Sequence, residues 1–364
     1  MNRILFTVDP HGAGWMHTVS LAGALLRRGH DVLVASFGPE PSAERMAAVE
    51  DSGIRLTRVE IPGPTTDPTF IQTARAALEE LVKEWSPSVV HIDRCSFGDL
   101  ELEVPKILMI AADRTARISR GRGPARRGLL GADAVVSPTR ALSEEISRRF
   151  EYRRPISLIQ PGIELGDKPV MLSPVKKSRS GFVCYGRTDE KADGFDVMME
   201  ALRRVKIEAP FKIAGEGARP PLPGWIADLG WLDTDGRSSA FEKAEVAVLP
   251  ARDDPFGLRS VEAGLAGCAL ILSDVPSHRE LWNGAAVLVP VDDPAALADA
   301  IGLLATDSRR REECQRLCHA RAVSGFSADR MVDEYLDVHR RIRRTWAKKA
   351  GGPPRLSEDV MPLN

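Results

Sequence analysis

The stretch 245–274, EVAVLPARDDPFGLRSVEAGLAGCALILSD, combines a strand, a turn and a helix in immediate succession. The apolar run EVAVLPA predicts a buried strand, Pro255 and Gly257 predict a sharp turn, and SVEAGLAG predicts a helix. A second apolar run, ALILSD, follows directly. This order predicts a parallel strand–helix–strand unit with the turn at the carboxyl end of its first strand.

Strand and helix patterns alternate along most of the chain and restart once. RILFTV (3–8) predicts the first buried strand, and MHTVSLAGALLRRG (16–29) predicts the helix after it. Beyond a segment rich in Pro, Ser and Lys at 161–180, GFVCYGR (181–187) and FKIAGEG (211–217) open a second series. We therefore predict an α/β protein with two Rossmann-like, doubly wound domains that face each other across a ligand-binding cleft.

The composition suits a two-domain protein without a metal or a nucleic-acid partner. The chain has 364 residues, of which 43% are hydrophobic, so it can bury two cores. Its net charge of −1 gives no reason to expect nucleic-acid binding. The five scattered cysteines indicate neither a disulfide framework nor a zinc site. No apolar run is long enough for a signal peptide or a spanning helix, so we expect a cytoplasmic protein.

Two glycines follow the first predicted strand, where a ligand could approach the backbone. Gly12 and Gly14 precede a helix N-terminus, which favours an anion. The dinucleotide-binding pattern G-x-G-x-x-G would need glycine at position 17, where this chain has His17, so the loop does not indicate NAD. A plain turn between strand and helix explains the two glycines equally well.

Cationic and small residues follow the first two strands of the second series. Arg187 could bind a diphosphate through its fork of N–H donors, and Lys191 could do so as a point charge. Gly215 and Gly217 could expose backbone beside a base or ribose, although a simple turn would use the same residues.

Two carboxylates bracket the Pro-Phe-Gly turn of the opening stretch. Asp254 follows the strand, and Glu262 lies eight residues later, within the predicted helix. Carboxylates accept hydrogen bonds from sugar hydroxyls, and the first-turn N–H groups of a helix favour a diphosphate. The pair therefore predicts a site for one extended nucleotide sugar. The alternative is that Asp253 and Asp254 only stabilise the helix N-terminus and that Glu262 is solvated.

The order of these segments over about residues 3–346 resembles the family-4 retaining glycosyltransferases of the GT-B fold. The most specific part is 241–300, with a strand, an acid, Pro-Phe-Gly-Leu and a second acid after seven intervening residues. HGAGWMHTVSLAGALLRRGHDVLV, ISLIQPGIE and GFSADRMVDEYLDVHRRI match further segments of the family in the same order.

The resemblance implies a division of the chain into four parts. These are an N-terminal acceptor-side domain (1–165), a nucleotide-sugar-binding domain (166–325), a helix that packs back on the first domain (326–348) and a flexible tail (349–364).

The resemblance also implies roles for single residues. Arg187 would hold the donor diphosphate, Asp254 would contact the transferred sugar, and Glu262 would hold the ribose hydroxyls. Gly14 would lie with Asp254 and Arg187 at the reaction centre. The other residues implied around the donor are Gly12, Lys191, Gly215, Phe256, Gly257 and Leu258.

The implied reaction is the transfer of a sugar from a UDP- or GDP-sugar with retention of configuration, without a metal or a tightly bound cofactor. The leaving diphosphate would help to deprotonate the acceptor on the same face. The acceptor would be a glycan, a lipid-linked molecule or a small molecule, and the sequence does not select among them.

Several departures from the family pattern leave alternatives open. Asp254 stands where the family usually has Glu, and Asp193 stands where a basic partner of Arg187 is usual, with Lys191 two residues early. AADRTAR lacks a usual His, for which His91 and His17 are candidate substitutes, although a single His near the end of a strand more often has a structural role. A non-catalytic partner subunit with this fold, or a nucleotide-sugar epimerase, would also account for the pattern.

Two arginine-rich segments could meet an anionic acceptor or membrane surface. The first basic run (114–127) contains six arginines, and the second basic run (340–349) contains Trp346 as a candidate interfacial anchor. These runs could make a peripheral contact with the inner face of the membrane. The alternative, which the composition favours slightly, is that they are simply solvated.

Overall fold

Two parallel sheets form the framework of the protein. The computed structural model describes residues 2–12, 14–63, 67–110, 122–163, 178–187, 191–217 and 221–349. The strands of the first sheet are β1 (Arg3–Val8), β2 (Asp31–Phe37), β3 (Arg55–Val59), β4 (Val89–Ile92), β5 (Lys106–Met109), β6 (Ala134–Ser137) and β7 (Ile156–Leu158). Those of the second are β8 (Phe182–Tyr185), β9 (Phe211–Ala214), β10 (Ile226–Asp228), β11 (Val246–Leu249), β12 (Ala269–Ser273) and β13 (Val287–Val289).

Helices connect these strands, as the alternating patterns predict. The first series contains α1 (Trp15–Arg27), α2 (Ala43–Ser52), α3 (Pro68–Trp85), α4 (Arg122–Gly131) and α5 (Arg140–Phe150). The second contains α6 (Phe195–Arg204), α7 (Thr234–Lys243), α8 (Leu258–Leu265), α9 (Pro276–Trp282), α10 (Pro294–Thr306), α11 (Ser308–Gly325) and α12 (Ala328–Lys349). None of the helices in the described ranges has the length and apolar character that a membrane span requires.

The strand order places the loops that matter for ligand binding. It is β3-β2-β1-β4-β5-β6-β7 in the first sheet and β10-β9-β8-β11-β12-β13 in the second. In each sheet the chain first moves outward from a central strand and then continues on that strand's other side, at β4 or at β11. Ligand crevices form where the order reverses, beyond the carboxyl ends of the strands. The predicted doubly wound architecture is confirmed, and the loops after β1, β8 and β11 lie at these points.

Alternating side chains of β1 enter different apolar clusters, because successive residues of a strand point to opposite faces. Leu5 packs in the cluster that contains Phe70 of α3. Ile4 and Phe6 pack in the cluster that contains Tyr335 of α12. The last helix therefore contributes to the core of the first sheet. The segment rich in Pro, Ser and Lys (161–180) is the predicted linker between the two domains, and its residues 164–177 lie outside the described residues, as does the tail from residue 350.

Candidate functional site

A cavity of about 140 Å³ opens at the carboxyl ends of strands from both sheets. The first wall consists of His11, Gly12, Trp15, Met16 and Arg45. The second wall consists of Arg187, Ala192, Asp193, Asp253, Asp254, Pro255, Phe256, Leu258 and Arg259. The structure thus brings together five of the predicted site residues, namely Gly12, Arg187, Asp254, Phe256 and Leu258.

The loop after β1 shapes the first wall through its backbone. A Cβ atom on Gly12 would lie 2.8 Å from the Cβ of Asp9, so a side chain does not fit there. The Asp9 carboxylate accepts a hydrogen bond from His11 N at 2.9 Å, and Asp9 N donates to the buried Asp93 at 2.6 Å. Gly14 is buried at the N-cap of α1 and is not part of either wall.

Asp254 is held from two sides at the carboxyl end of β11. Its Oδ1 accepts a hydrogen bond from Gly257 N at 2.8 Å, and its Oδ2 lies 3.3 Å from Nε2 of His278. The Asp254 side chain is 23% exposed, whereas that of His278 is fully buried. The carboxylate is therefore fixed in one orientation, with one edge left toward the cavity.

His278 stands between two oxygen atoms. Its Nδ1 lies 2.9 Å from the carbonyl oxygen of Ser273, and its Nε2 faces Asp254. A neutral imidazole has one N–H group, so both contacts are hydrogen bonds only if a second proton lies between His278 and Asp254. Burial alone would raise the pKa of Asp254. The hydrogen bond and charge of His278, together with the charge of Arg259, hold that pKa below its usual value.

The Pro-Phe-Gly turn depends on the glycine. Gly257 has φ +63°, a left-handed conformation that favours glycine, and an added Cβ would lie 2.9 Å from Cδ1 of Leu281. Gly257 is the N-cap of α8, whose first residue is Leu258. The turn therefore directs the N-terminus of α8, with its partial positive charge, at the cavity.

Asp193 organises two arginines of the second wall. Its Oδ2 accepts a hydrogen bond from Arg187 N at 2.6 Å and lies 2.7 Å from Nη1 of Arg259. Burial alone would lower the pKa of Arg259, but the carboxylates of Asp193 and Asp254 raise it above its usual value. Arg259 is therefore a permanent positive charge in the cavity.

Glu262 lies on α8 outside the two walls and pairs with a buried arginine. Its two oxygens face Nε and Nη2 of Arg237 at 2.8 and 3.1 Å. The side chains of Arg237 and Glu262 are 6% and 22% exposed. The alternative in which Glu262 is simply solvated does not fit this geometry, and its contact with a ribose stays a prediction.

Lys191 and Gly215 are also outside the two walls. The Lys191 side chain is exposed, and its carbonyl oxygen accepts a hydrogen bond from Arg252 at 2.7 Å. Gly215 has φ +130°, and an added Cβ would lie 1.9 Å from the carbonyl oxygen of Gly186. Glycine at position 215 thus allows the loops after β8 and β9 to pack closely.

The two candidate histidines lie in the core. His17 packs its ring on Phe256 at 4.7 Å between centroids, and its Nε2 lies 3.2 Å from the hydroxyl of Tyr335. Burial lowers the pKa of His17 to about 3, so the ring is neutral. His91 lies 2.7 Å from His339, nitrogen to nitrogen. Neither His17 nor His91 lines the cavity. The segment AADRTAR lies outside the described residues.

Arginines of the second basic run form hydrogen bonds within the protein. In the second run, Arg341 donates to Ser157 Oγ at 3.2 Å, and Arg343 donates to Asn2 Oδ1 at 3.0 Å. Residues 114–121 of the first run lie outside the described residues. Contact with a membrane surface stays a prediction.

Two residues of the site, Arg259 and His278, are absent from the site predicted from the sequence. Arg259 directly follows the Pro-Phe-Gly-Leu turn, so a cation in the first turn of a cleft helix was an available signal. His278 has no such signal, because it meets Asp254 only through the packing of α9 against the turn.

Comparison with known proteins identifies the family. A family model for glycosyl transferases group 1 matches residues 179–307, and one for glycosyltransferase family 4 matches residues 14–167. The chain is 26% identical over 371 residues to phosphatidyl-myo-inositol mannosyltransferase of Mycobacterium tuberculosis, covering 94% of this chain and 97% of the relative. It is 24% identical over 382 residues to glycogen synthase of the same organism, covering 90% and 91%.

A solved structure shares the fold. Anabaena Alr3699/HepE in complex with UDP and glucose matches with a TM-score of 0.73 and 14% identity, covering 93% of this chain and 99% of that one. The two family models together account for most of the chain, one for each sheet. The expectation from the sequence motifs is therefore confirmed: the protein has the GT-B fold, and each of its two halves matches a glycosyltransferase family model.

Proposed function

We propose that this protein transfers a sugar from a nucleoside diphosphate sugar to an acceptor with retention of configuration. The observation that supports this most is the second wall of the cavity. Arg187, the N-terminus of α8 and the fixed carboxylate of Asp254 all face one space. A diphosphate suits the cation and the helix N-terminus, and sugar hydroxyls suit the carboxylate.

In the proposed reaction, the bond between the anomeric carbon and the diphosphate oxygen breaks while the acceptor oxygen bonds to the same face of that carbon. The proton of the acceptor hydroxyl passes to the leaving diphosphate oxygen. Arg187 stabilises the negative charge that develops on the diphosphate, and Asp254 orients the sugar. The proposed reaction uses no metal ion.

The donor is proposed to be a UDP- or GDP-sugar. Support comes from HepE, whose structures contain UDP-glucose or UDP with glucose. The mannosyltransferase and glycogen synthase relatives are named for sugar transfer to different acceptors. The acceptor of this chain is therefore left to experiment.

Thermal unfolding in the presence of UDP, GDP or ADP tests the donor site. At millimolar concentration one of them should raise the melting temperature, because ligands that bind only the folded state stabilise it. Arg187→Ala should remove this shift. Arg203→Ala, which affects an exposed arginine paired with Glu200 on α6, is the matched control. If none of the three nucleotides stabilised the protein, the proposal would be contradicted.

Product analysis with the donor so identified tests the reaction. A transferase should form a glycosylated product only with an acceptor and should keep the anomeric configuration of the donor. Conversion of the donor sugar without an acceptor would instead indicate an epimerase. Binding without transfer or hydrolysis, together with co-purification of a second enzyme, would indicate a partner subunit.

A further inference from the structure

One carboxylate oxygen joins two arginines beside the cavity. Asp193 Oδ2 accepts a hydrogen bond from the backbone N–H of Arg187 and forms an ion pair with the guanidinium of Arg259. Arg187 lies in the loop after β8, and Arg259 lies in the first turn of α8, which follows β11. Asp193 therefore fixes the position of that loop relative to α8.

Arg259 is placed to face a ligand rather than bulk solvent. It lies in the first turn of α8, two residues after Gly257, and lines the cavity together with Arg187. Its side chain is 35% exposed, and its Cζ lies 5.8 Å from the centre of the Tyr185 ring. Asp193 engages one nitrogen of its guanidinium, which has five N–H donors.

Asp193 would be an unfavourable residue here if only its charge mattered. A carboxylate beside an anion-binding site repels the anion and weakens binding. Yet the side chain of Asp193 is 15% exposed and lies on the second wall. Its hydrogen bonds to the backbone N–H of Arg187 and to the guanidinium of Arg259 give a reason for this position, since a fixed backbone and a fixed guanidinium lose less conformational freedom when a ligand binds.

We propose that Arg259 is the second diphosphate-binding cation of the site and that Asp193 is a positioning residue that holds Arg187 and Arg259 for the same diphosphate. This inference rests on the proposed function. It assigns to Arg259 the role that the sequence motif suggested for Lys191, whose exposed side chain lies outside both walls.

Titration calorimetry of the full chain with UDP and with inorganic pyrophosphate tests this assignment. Pyrophosphate reports on the cations independently of the base. Arg259→Met should weaken binding of both probes roughly ten- to hundredfold, because charge-assisted hydrogen bonds are lost. Asp193→Ala should weaken binding of both by about tenfold although it removes a negative charge.

The matched controls are Arg279→Met and Asp274→Ala. Arg279 and Asp274 form a two-pronged ion pair in the same half of the protein, at 2.8 and 2.6 Å, and neither lines the cavity. Both control variants should bind the two probes within about twofold of the original protein. Arg259→Lys keeps the charge without the guanidinium fork and should retain part of the affinity. Melting temperatures without ligand should confirm that all variants fold.

Each part of the inference can fail separately. Unchanged affinity in folded Arg259→Met would overturn the role of Arg259 and leave the proposed function intact. Equal or tighter binding by Asp193→Ala would overturn the positioning role, because simple charge repulsion predicts that result. If the unmodified protein bound neither UDP, GDP, ADP nor pyrophosphate, the proposed function itself would be contradicted.

Discussion

The two walls of the cavity are built in different ways. In the first wall, the guanidinium of Arg45 is used to hold the loop, since it donates to the carbonyl oxygens of Pro10 and Gly12. In the second wall, Arg187, Arg259 and Asp254 face the cavity on supports from Asp193, His278 and Gly257. The second wall is thus a preorganised polar site, whereas the first wall offers mainly backbone and ring surface.

This difference indicates which of the two substrates, donor or acceptor, each wall can select. Charged side chains with fixed supports recognise a shared, highly charged group at low cost in conformational entropy. Backbone and apolar surface recognise shape and vary with the loop that presents them. We therefore expect the donor to be set by the second wall and the acceptor by the first.

The largest expected effect is at Asp254. Asp254→Asn should lower the transfer rate at least a hundredfold, because a fixed charge aimed at the reacting sugar is lost, while UDP affinity stays within about threefold. Initial-rate assays and calorimetry measure the two effects. Asp254→Glu tests whether the shorter acid tunes the choice of sugar. Asp253→Asn, on the same wall, should lower the transfer rate less. Equal losses of rate in Asp254→Asn and Asp253→Asn would contradict a special role for Asp254.

The next effect is on stability, behind the second wall. Glu262→Gln should lower the free energy of unfolding by about 3 kcal/mol, because it removes the charge that faces two nitrogens of the buried Arg237 guanidinium. Urea denaturation measures this loss. Glu200→Gln is the control, since the arginine partners of Glu200 are exposed, and it should leave the stability almost unchanged. If Glu262 also contacts the ribose hydroxyls, the original protein should bind UDP more tightly than the 2′,3′-dideoxy analogue of UDP. Glu262→Gln should then bind the two compounds with similar affinity.

A third effect concerns pH and the buried side chain of His17. His17 is neutral in the folded protein because burial lowers its pKa to about 3, whereas in the unfolded chain it titrates near 6.5. The stabilisation that neutral His17 contributes is fully present above pH 6.5. As the pH falls from 6.5 toward 3, the unfolded chain binds a proton that the folded protein does not, so the free energy of unfolding falls by roughly 1.4 kcal/mol per pH unit. Urea denaturation at several pH values should show a shallower loss of stability for His17→Phe. Parallel curves for the two proteins would show that His17 is not buried in this way.

The smallest expected effect concerns a contact that joins the two halves. The carboxylate of Glu280 on α9 accepts hydrogen bonds from Arg140 N and Ala141 N, in the first turn of α5, at 2.7 and 2.9 Å. Glu280→Ala should cost about 1 kcal/mol, as for other lost helix caps. It should also increase the radius of gyration in X-ray scattering. Thr139→Ala, which removes a cap of α5 within one half, should lower stability without that expansion.

Much of the framework follows from local patterns in the sequence. RILFTV coincides with β1, and the apolar core of EVAVLPA coincides with β11, because short apolar runs next to glycine and proline report strands directly. The placement of Arg187 and Asp254 at one cavity follows from the rule that strand ends meet at one edge of a parallel sheet.

The supports of the site could not be predicted in this way. Asp193 and Arg259 are 66 residues apart, and Arg237 and Glu262 are 25 residues apart. Such pairs depend on how loops and helices pack across the sheet, and no periodic pattern encodes that. For the same reason His17, a candidate for chemistry on sequence grounds, lies in the core against Phe256 instead.

Helix α12 has a consequence for the order in which the protein can fold. Met331, Tyr335 and Ile342 pack in the same cluster as Ile4 and Phe6, so the first strand and the last helix share one core. During synthesis domains generally fold as units, beginning with the N-terminal one. Here the first sheet can reach its final packing only after the ribosome has released α12, and until then it exposes an apolar face that a chaperone would recognise.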